Sequence, residues 1–230
     1  MVHAIILAGG SGSRIRETPV PKQFLDVGGG TVLTRVVGTF ARHPRIGHLI
    51  VVVPVDHLET AKALLKECRH PKMDIISGGS SRQSSSCHAL KQLRPAAKDD
   101  DIVIIHDAAR LFVTTAIIDR GLVAIENAIA ATAAIPCADT MMRGAPNGTL
   151  TTVVAREGLY AIQTPQLFRF APIYQAHLDE QGEGTATDDI TLLLKRNIPV
   201  KFFSGSVLNF KLTTDEDLAL ARALSDEFPV

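Results

Sequence analysis

Short apolar runs alternate with segments of helical spacing through the first half of the chain. An apolar run with few polar residues predicts a strand buried on both faces, and apolar residues three and four positions apart predict a helix. The predicted strands are Val2–Leu7, His48–Pro54, Met73–Ile76 and Asp101–Ile105. The predicted helices are Val32–Arg42, Leu58–Cys68, Ser84–Leu93 and Thr115–Ala131. This alternation predicts an α/β fold: a mainly parallel twisted sheet with helices on both faces.

The pattern changes between about residues 136 and 160. Here the turn residues Gly144-Ala145-Pro146-Asn147-Gly148 separate two strand-like arms. Turn residues in that setting are typical of a β-hairpin, so we expect a hairpin arm that protrudes from the sheet. Because no repeat, low-complexity tract or flexible linker interrupts the sequence, we expect a single domain over residues 1–230.

Three polar segments follow predicted strands, at residues 8–14, 78–85 and 106–110. In parallel sheets, ligands bind beyond the carboxyl ends of the strands, so these segments are candidates for a common site. The first is rich in glycine, and consecutive backbone N–H groups in such a loop can hold phosphate oxygens. It fits neither the dinucleotide fingerprint, which needs glycine where Ile15 stands, nor the P-loop motif.

Two cations follow the glycine-rich loop, Arg14 and Lys22. Arginine binds phosphate through a planar fork, and lysine supplies a compact point charge. A backbone anion cradle followed by two cations suits a triphosphate. The alternatives at this stage are a tight turn without a ligand and two solvated surface cations.

Composition excludes several classes of partner. The chain has 24 Lys plus Arg and 24 Asp plus Glu, so binding of nucleic acid by bulk positive charge is not expected. Residues 1–115 carry 15 basic and 10 acidic side chains, and residues 116–230 carry 9 and 14, so a cationic site draws mainly on the first half. No apolar run reaches about 18 residues, so no membrane partner is expected. Three cysteines without metal-ligand spacing (Cys68, Cys87 and Cys137) predict a reduced, cytoplasmic location.

Several longer motifs carry a family resemblance. LAGGSGSR followed by PKQF resembles the opening of the sugar-nucleotide type of cytidylyltransferase, and further blocks follow in the same order over nearly the whole chain. These blocks are GGSSRQSS (78–85), HDAAR (106–110), ADT (138–140), REGLYAIQTPQLF (156–168), TDD (187–189) and NFKLTTDEDL (209–218). The sequence is most similar to the 2-C-methyl-D-erythritol 4-phosphate cytidylyltransferases and their sister family, the ribitol-5-phosphate cytidylyltransferases.

This resemblance implies a Rossmann-like nucleotidyltransferase fold and transfer of CMP from CTP to a polyol phosphate, with release of diphosphate. It implies Mg²⁺ bound through the CTP phosphates, with no metal ligand from the protein. The implied catalytic residues are Arg14, Lys22 and Lys211. The implied nucleotide-binding residues are Leu7, Ala8, Gly9, Gly10, Gly12, Gly79, Ser80, Ser85, Asp107 and Ala108. The implied polyol-phosphate contacts are Asp107, Arg110, Thr140, Arg156, Thr164 and Lys211.

The same resemblance implies a homodimer, in which the hairpin arm supplies Arg156 to the partner subunit's site. The acceptor is open at this point. HDAAR, ADT and REGLY favour methylerythritol phosphate, whereas LAGG favours ribitol 5-phosphate. Two other classes are a nicotinamide-binding oxidoreductase, suggested by the glycine-rich loop, and a nucleotide-binding domain without catalysis. We expect a structural role for His106, helix capping by the aspartates of TDD, and an inert Cys137.

Overall fold

The computed structural model describes residues 1–10, 15, 20–68, 70–180, 188–225 and 227. Within these residues the main sheet has seven strands, and two further strands form a separate hairpin. The strands of the main sheet are β1 (Val2–Leu7), β2 (Ile46–Val53), β3 (Met73–Ser77), β4 (Ile102–Asp107), β5 (Ala130–Pro136), β8 (Tyr160–Arg169) and β9 (Val200–Ser204). The hairpin strands are β6 (Met141–Gly144) and β7 (Leu150–Val154).

The order of the strands across the main sheet is β3-β2-β1-β4-β8-β5-β9. Strands β1 to β4 are parallel, β9 is parallel to β5, and β8 runs antiparallel to both of its neighbours. Leu7 of β1 lies opposite both Val52 of β2 and Asp107 of β4. The carboxyl ends of these strands therefore coincide, and the loops that follow them meet at one edge of the sheet.

Seven helices of the described chain cover the two faces of the sheet. They are α1 (Val32–Ala41), α2 (Leu58–Leu65), α3 (Arg82–Leu93), α4 (Thr115–Ala124), α5 (Phe170–Asp179), α6 (Ile190–Leu194) and α7 (Asp215–Leu224). Side chains alternate along β1, so Ala4 and Ile6 pack in the core with α1, α2, α4 and α7, whereas Ile5 and Leu7 pack with α3, α5 and α6. The predicted α/β fold with helices on both faces is confirmed.

One predicted helix is too long. The prediction was Thr115–Ala131, but α4 ends at Ala124 and Ala130 begins β5. The segment is rich in alanine, which favours helices when side-chain packing does not decide the structure. Here the alanines at 130, 131 and 133 are fully buried, and the segment is paired with β8 on one side and β9 on the other. Strand pairing with β8 and β9 therefore outweighed the helix propensity of the alanines.

Helix α3 begins two residues before the predicted start at Ser84. Ser81 is its N-cap: the Ser81 hydroxyl accepts the N–H of Ser84 at 3.0 Å, and the Ser84 hydroxyl accepts the N–H of Ser81 at 2.9 Å. This reciprocal capping box satisfies two backbone donors that the helix itself leaves unpaired. Arg82 consequently occupies the first turn of the helix.

The predicted hairpin is confirmed and has a short turn. The N–H of Ala145 donates to the carbonyl of Thr149 at 2.8 Å, and Gly148 has a φ of 83°, which glycine adopts without strain. Nearly all side chains of β6 and β7 are exposed. The division into one domain with a dimerisation arm stays a prediction.

No helix in the described ranges has the length and apolar character needed to cross a membrane. Cys68, Cys87 and Cys137 are all unpaired. The cytoplasmic location predicted from these cysteines stays a prediction.

Candidate active site

A cleft of about 190 Å³ opens at the carboxyl ends of β1, β3 and β4. Many of the residues singled out from the sequence line it. These are Leu7, Ala8, Gly9, Gly10, Lys22, Gly79, Ser80, Ser85, Asp107, Ala108 and Lys211. Arg14 and Gly12 lie outside the described residues. The fold thus brings three separate sequence motifs and the distant Lys211 to one cleft.

The first wall is the backbone that follows β1. The N–H of Ala8 donates to the carbonyl of Val52 at 2.8 Å, which ties the start of the loop to β2. Lys22 lies in a single turn of 3-10 helix and donates from Nζ to the carbonyl of Leu212 at 3.3 Å. A Cβ atom on Gly10 would lie 3.1 Å from Cε of Lys22. Glycine at position 10 therefore lets the lysine lie close to the loop.

The second wall is the loop between β3 and α3. The hydroxyl of Ser85 accepts the N–H of Gly79 at 3.1 Å. A Cβ atom on Gly79 would lie 2.3 Å from Oγ of Ser84, and one on Gly78 would lie 2.6 Å from Oγ of Ser85. The loop therefore packs against the first turn of α3 at a distance that only glycine permits. This packing places backbone groups and a hydroxyl on the cleft surface.

Asp107 lies at the end of β4 between two cations. Arg82 donates from Nε to Oδ1 of Asp107 at 2.9 Å, and Lys211 donates from Nζ to Oδ2 at 2.8 Å. Burial by itself would raise the pKa of Asp107, but the charges and hydrogen bonds of Arg82 and Lys211 hold it well below its usual range. Asp107 is therefore ionised at neutral pH.

Arg82 is a lining residue that sequence reasoning did not single out. It lies inside the GGSSRQSS block, which was the available signal, yet no role was assigned to it. Besides Asp107, Arg82 contacts Asp189, which accepts from Nη1 at 2.6 Å. Asp189 also pairs with His177, whose Nε2 lies 2.9 Å from Oδ1. Burial opposes the charge of Asp189, but Arg82 and then His177 lower its pKa to about 2.

The structure corrects one prediction about the TDD motif. Asp188 does cap α6, because its Oδ1 accepts the N–H of Thr191 at 3.2 Å. Asp189 does not cap through its side chain, which is fully buried and faces Arg82 and His177 instead. Thr187 lies outside the described residues.

His106 has the structural role predicted for it. Its Nε2 donates to the carbonyl of Arg110 at 3.1 Å, and its Nδ1 accepts from the hydroxyl of Thr164 at 3.0 Å. The same hydroxyl accepts the backbone N–H of Asp107 at 3.1 Å. Burial lowers the pKa of His106 to about 4, so the ring is neutral at pH 7. The neutral ring joins the carbonyl of Arg110 to the hydroxyl of Thr164.

Four predicted substrate contacts do not line the cleft of the single chain. Arg110 donates to the carbonyl of Asn209 at 2.9 Å, and the hydroxyl of Thr164 is buried in the contacts just described. Thr140 and Arg156 lie exposed beside the hairpin, where Arg156 donates to the carbonyl of Ala138 at 2.8 Å. The roles of all four residues stay predictions.

The sheet order and the cleft define the class of this protein as a nucleotidyltransferase-like α/β fold. A crystal structure of 4-diphosphocytidyl-2C-methyl-D-erythritol synthase from Anaerococcus prevotii matches it with a TM-score of 0.82 and 28% identity, over 96% of this chain and 94% of that one. The family model IspD, 2-C-methyl-D-erythritol 4-phosphate cytidylyltransferase, matches residues 2–227. The chain belongs to this family.

Two curated relatives differ in what their names state. A bifunctional enzyme IspD/IspF from Desulfotalea psychrophila is 41% identical over 94% of this chain, which spans 55% of the length of that relative. A ribitol-5-phosphate cytidylyltransferase from Lactiplantibacillus plantarum is 30% identical over 99% of both chains. The chain therefore spans little more than half of the bifunctional relative and 99% of the ribitol enzyme.

Proposed function

We propose that this protein transfers CMP from CTP to 2-C-methyl-D-erythritol 4-phosphate and releases diphosphate. The observation that carries the proposal is the cleft in which Lys22, Lys211 and the ionised Asp107 meet two glycine-supported backbone loops. Two cations beside exposed backbone groups suit the phosphates of a nucleotide, and a carboxylate suits sugar hydroxyls. Membership of the family supports the nucleotide and the acceptor.

The nucleotide would lie between the two walls of the cleft. Leu7 and the loop from Ala8 through Gly10 towards Gly12 would line it, and Gly79, Ser80 and Ser85 would bind cytosine. The amide edge of cytosine needs both donors and acceptors, which backbone groups and a hydroxyl supply together. Asp107 and Ala108, at the end of β4, would contact the ribose.

The transfer needs no covalent intermediate on the protein. A phosphate oxygen of the acceptor attacks the α-phosphorus of CTP, the new P–O bond forms, and the bond to the leaving diphosphate breaks. Lys22 and Lys211, with Arg14, would stabilise the negative charge that builds up on the α-phosphate and the diphosphate. A preorganised donor aimed at developing charge commonly contributes about 100-fold or more to the rate.

Mg²⁺ would enter with the nucleotide and neutralise charge on its phosphates. Within the described part of the chain, no three His, Cys, Asp or Glu side chains are grouped so that they could hold a metal. The carboxylate of Asp107 is already paired with Arg82 and Lys211. This donor set fits an ion held mainly by CTP phosphate oxygens and water, which are the ligands that Mg²⁺ prefers.

The acceptor site would be completed by a second subunit. Arg110, Thr140 and Thr164 would belong to the polyol-phosphate side of the cleft, and Arg156 would arrive from the hairpin of the partner. The hairpin exposes Met141, Met142, Leu150 and Val153, with relative exposures of 40, 42, 63 and 64%. Met142 lies opposite Val153 in the hairpin, and exposed apolar residues grouped on one face are typical of a protein–protein interface.

Ribitol 5-phosphate is a second candidate acceptor, because the relative that carries that name aligns over 99% of both chains. Both acceptors present a phosphate monoester and several hydroxyl groups, so the same cations and carboxylate would serve either. The difference lies in the polyol part of the pocket.

A paired assay tests the proposal. The purified full chain is incubated with CTP, Mg²⁺ and either polyol phosphate, and release of diphosphate is measured. We expect kcat/KM to be at least about tenfold higher with methylerythritol phosphate, since loss or gain of specific polar contacts commonly changes discrimination by that much or more. A higher kcat/KM with ribitol 5-phosphate would identify ribitol 5-phosphate as the acceptor instead. Absence of CTP-dependent release with both compounds would contradict the proposed function.

A further inference from the structure

The two cations that pair with Asp107 differ in their exposure to solvent. The side chain of Asp107 is 10% exposed, that of Arg82 is 22% exposed, and that of Lys211 is 40% exposed. The lysine thus pairs with the carboxylate from the open side of the cleft, and the arginine pairs with it from the inner side.

Arg82 is held from behind by a second carboxylate. Asp189, only 1% exposed, accepts from Nη1 of Arg82 at 2.6 Å. Asp189 is fixed in turn by His177 and by the side chain of Gln166, whose Oε1 accepts the N–H of Asp189 at 3.2 Å. A planar guanidinium that bridges two buried carboxylates has little freedom to move.

Lys211 has a fixed backbone and a long side chain. Its carbonyl accepts from the hydroxyl of Thr213 at 2.8 Å, and the N–H of Leu212 donates to the carbonyl of Ala109 at 2.8 Å. The ammonium group lies at the end of four flexible carbons. A polyanion in the cleft would therefore compete with Asp107 for this ammonium without any change in the main chain.

We infer, building on the proposed function, that Arg82 is a positioning residue that keeps Asp107 paired when Lys211 moves from this carboxylate to a substrate phosphate. Leaving a buried carboxylate without a partner is costly, so Lys211 would be held on Asp107 if it were the sole cation there. With Arg82 in place, Lys211 can leave Asp107 for a substrate phosphate while the carboxylate stays paired. No role in the family resemblance had been given to Arg82.

The charged groups around Asp107 determine what the loss of Arg82 would do. They are Arg82 on α3, Lys211 on the loop before α7, and the neighbours His106 and Arg110; Asp188 and Asp189 face Arg82 from the other side. Burial raises the pKa of Asp107, and Arg82 is the strongest of the charges that lower it. Without Arg82 this pKa rises, so the carboxylate becomes protonated at a higher pH.

The test compares Arg82→Gln with the wild-type full chain, measuring kcat and both KM values at neutral pH, where Asp107 of the wild type is ionised. We expect the KM for the polyol phosphate to rise about tenfold. Arg82→Lys keeps the charge but has a single ammonium in place of the two guanidinium nitrogens that bind Asp107 and Asp189. Its KM for the polyol phosphate should therefore lie between those of the wild type and Arg82→Gln.

Arg94→Gln is the matched control, because Arg94 lies just beyond the other end of α3 in an exposed pair with Asp99. Arg94→Gln should keep the wild-type kcat and both wild-type KM values. A folded Arg82→Gln with the wild-type KM for the polyol phosphate would overturn the inference, whatever its melting temperature. Should Arg82→Gln not fold, Arg82→Lys decides: a raised KM for the polyol phosphate supports the inference, and a wild-type KM overturns it. Wild-type protein without cytidylyl transfer would instead count against the proposed function.

Discussion

Lys22 and Lys211 come from opposite ends of the chain and line the same cleft. If Lys22 stabilises the charge that develops on the triphosphate, Lys22→Ala should lower kcat by at least about 100-fold, as expected for the loss of one preorganised donor. Steady-state turnover of CTP measures this directly.

Lys62→Ala is the control for that substitution, since Lys62 forms an exposed pair with Glu59 at 2.8 Å and lies outside the cleft lining. It should retain full turnover. A Lys22→Ala protein that keeps more than about a tenth of the wild-type kcat would remove Lys22 from the catalytic group.

At the scale of single residues, sequence motifs predicted most of the cleft lining but not its internal pairing. Glycines, Ser85, Asp107 and the two lysines stand in recognisable motifs. Arg82 also stands in such a motif, but its partners, Asp107 and Asp189, are distant in sequence. The pairing of carboxylates with cations depends on which side chains come close together in the folded chain. The linear sequence pattern does not indicate this.

At the scale of elements, the cleft depends on how closely the β3–α3 loop packs on its helix. Gly79→Ala would place a methyl group 2.3 Å from Oγ of Ser84, a member of the capping box. Relieving that overlap would shift the loop and disturb the cap. We expect the KM for CTP to rise several-fold and the free energy of unfolding to fall by about 1–3 kcal/mol, the usual cost of overpacking.

Gly144→Ala is the matched change, because the nearest atom to its new Cβ would lie at 3.8 Å, an ordinary contact, and its φ is not positive. Denaturant unfolding and CTP saturation curves should place this variant close to the wild type. A wild-type KM and stability in Gly79→Ala would contradict the tight packing described for the loop.

The elements themselves were predicted well where apolar patterning was strong. The four predicted strands were found with shifts of a few residues at their ends. The alanine-rich segment was the exception, because small apolar residues fit a helix surface and a sheet interior equally. Its position between β8 and β9 decided the outcome.

At the scale of the whole molecule, the proposed dimer would complete each site with Arg156 of the partner. Mixing Arg156→Ala subunits with Lys211→Ala subunits tests this. Each variant alone should be nearly inactive, whereas mixed dimers contain one site with both residues intact. With equal amounts and random exchange, half of the dimers are mixed, so activity should recover to about a quarter of the wild-type value. Each variant alone should lose about 100-fold in kcat, as for other groups that stabilise developing charge.

Subunit exchange is verified by mass spectrometry of differently tagged chains, and a mixture of wild-type and Lys211→Ala subunits serves as the reference. Exchange without recovery of activity would place Arg156 in its own subunit's site or outside catalysis. A monomer in light scattering at assay concentration would count against the dimer itself.

The sequence by itself determined the α/β class, the hairpin and the segments that meet at the carboxyl ends of the strands, because apolar periodicity and turn residues act locally. The tertiary structure decided the extent of α4, the antiparallel direction of β8 and the pairing of Asp107 with Arg82 and Lys211. These features depend on contacts between residues far apart in sequence. Such contacts are settled by burial and geometry in the packed chain.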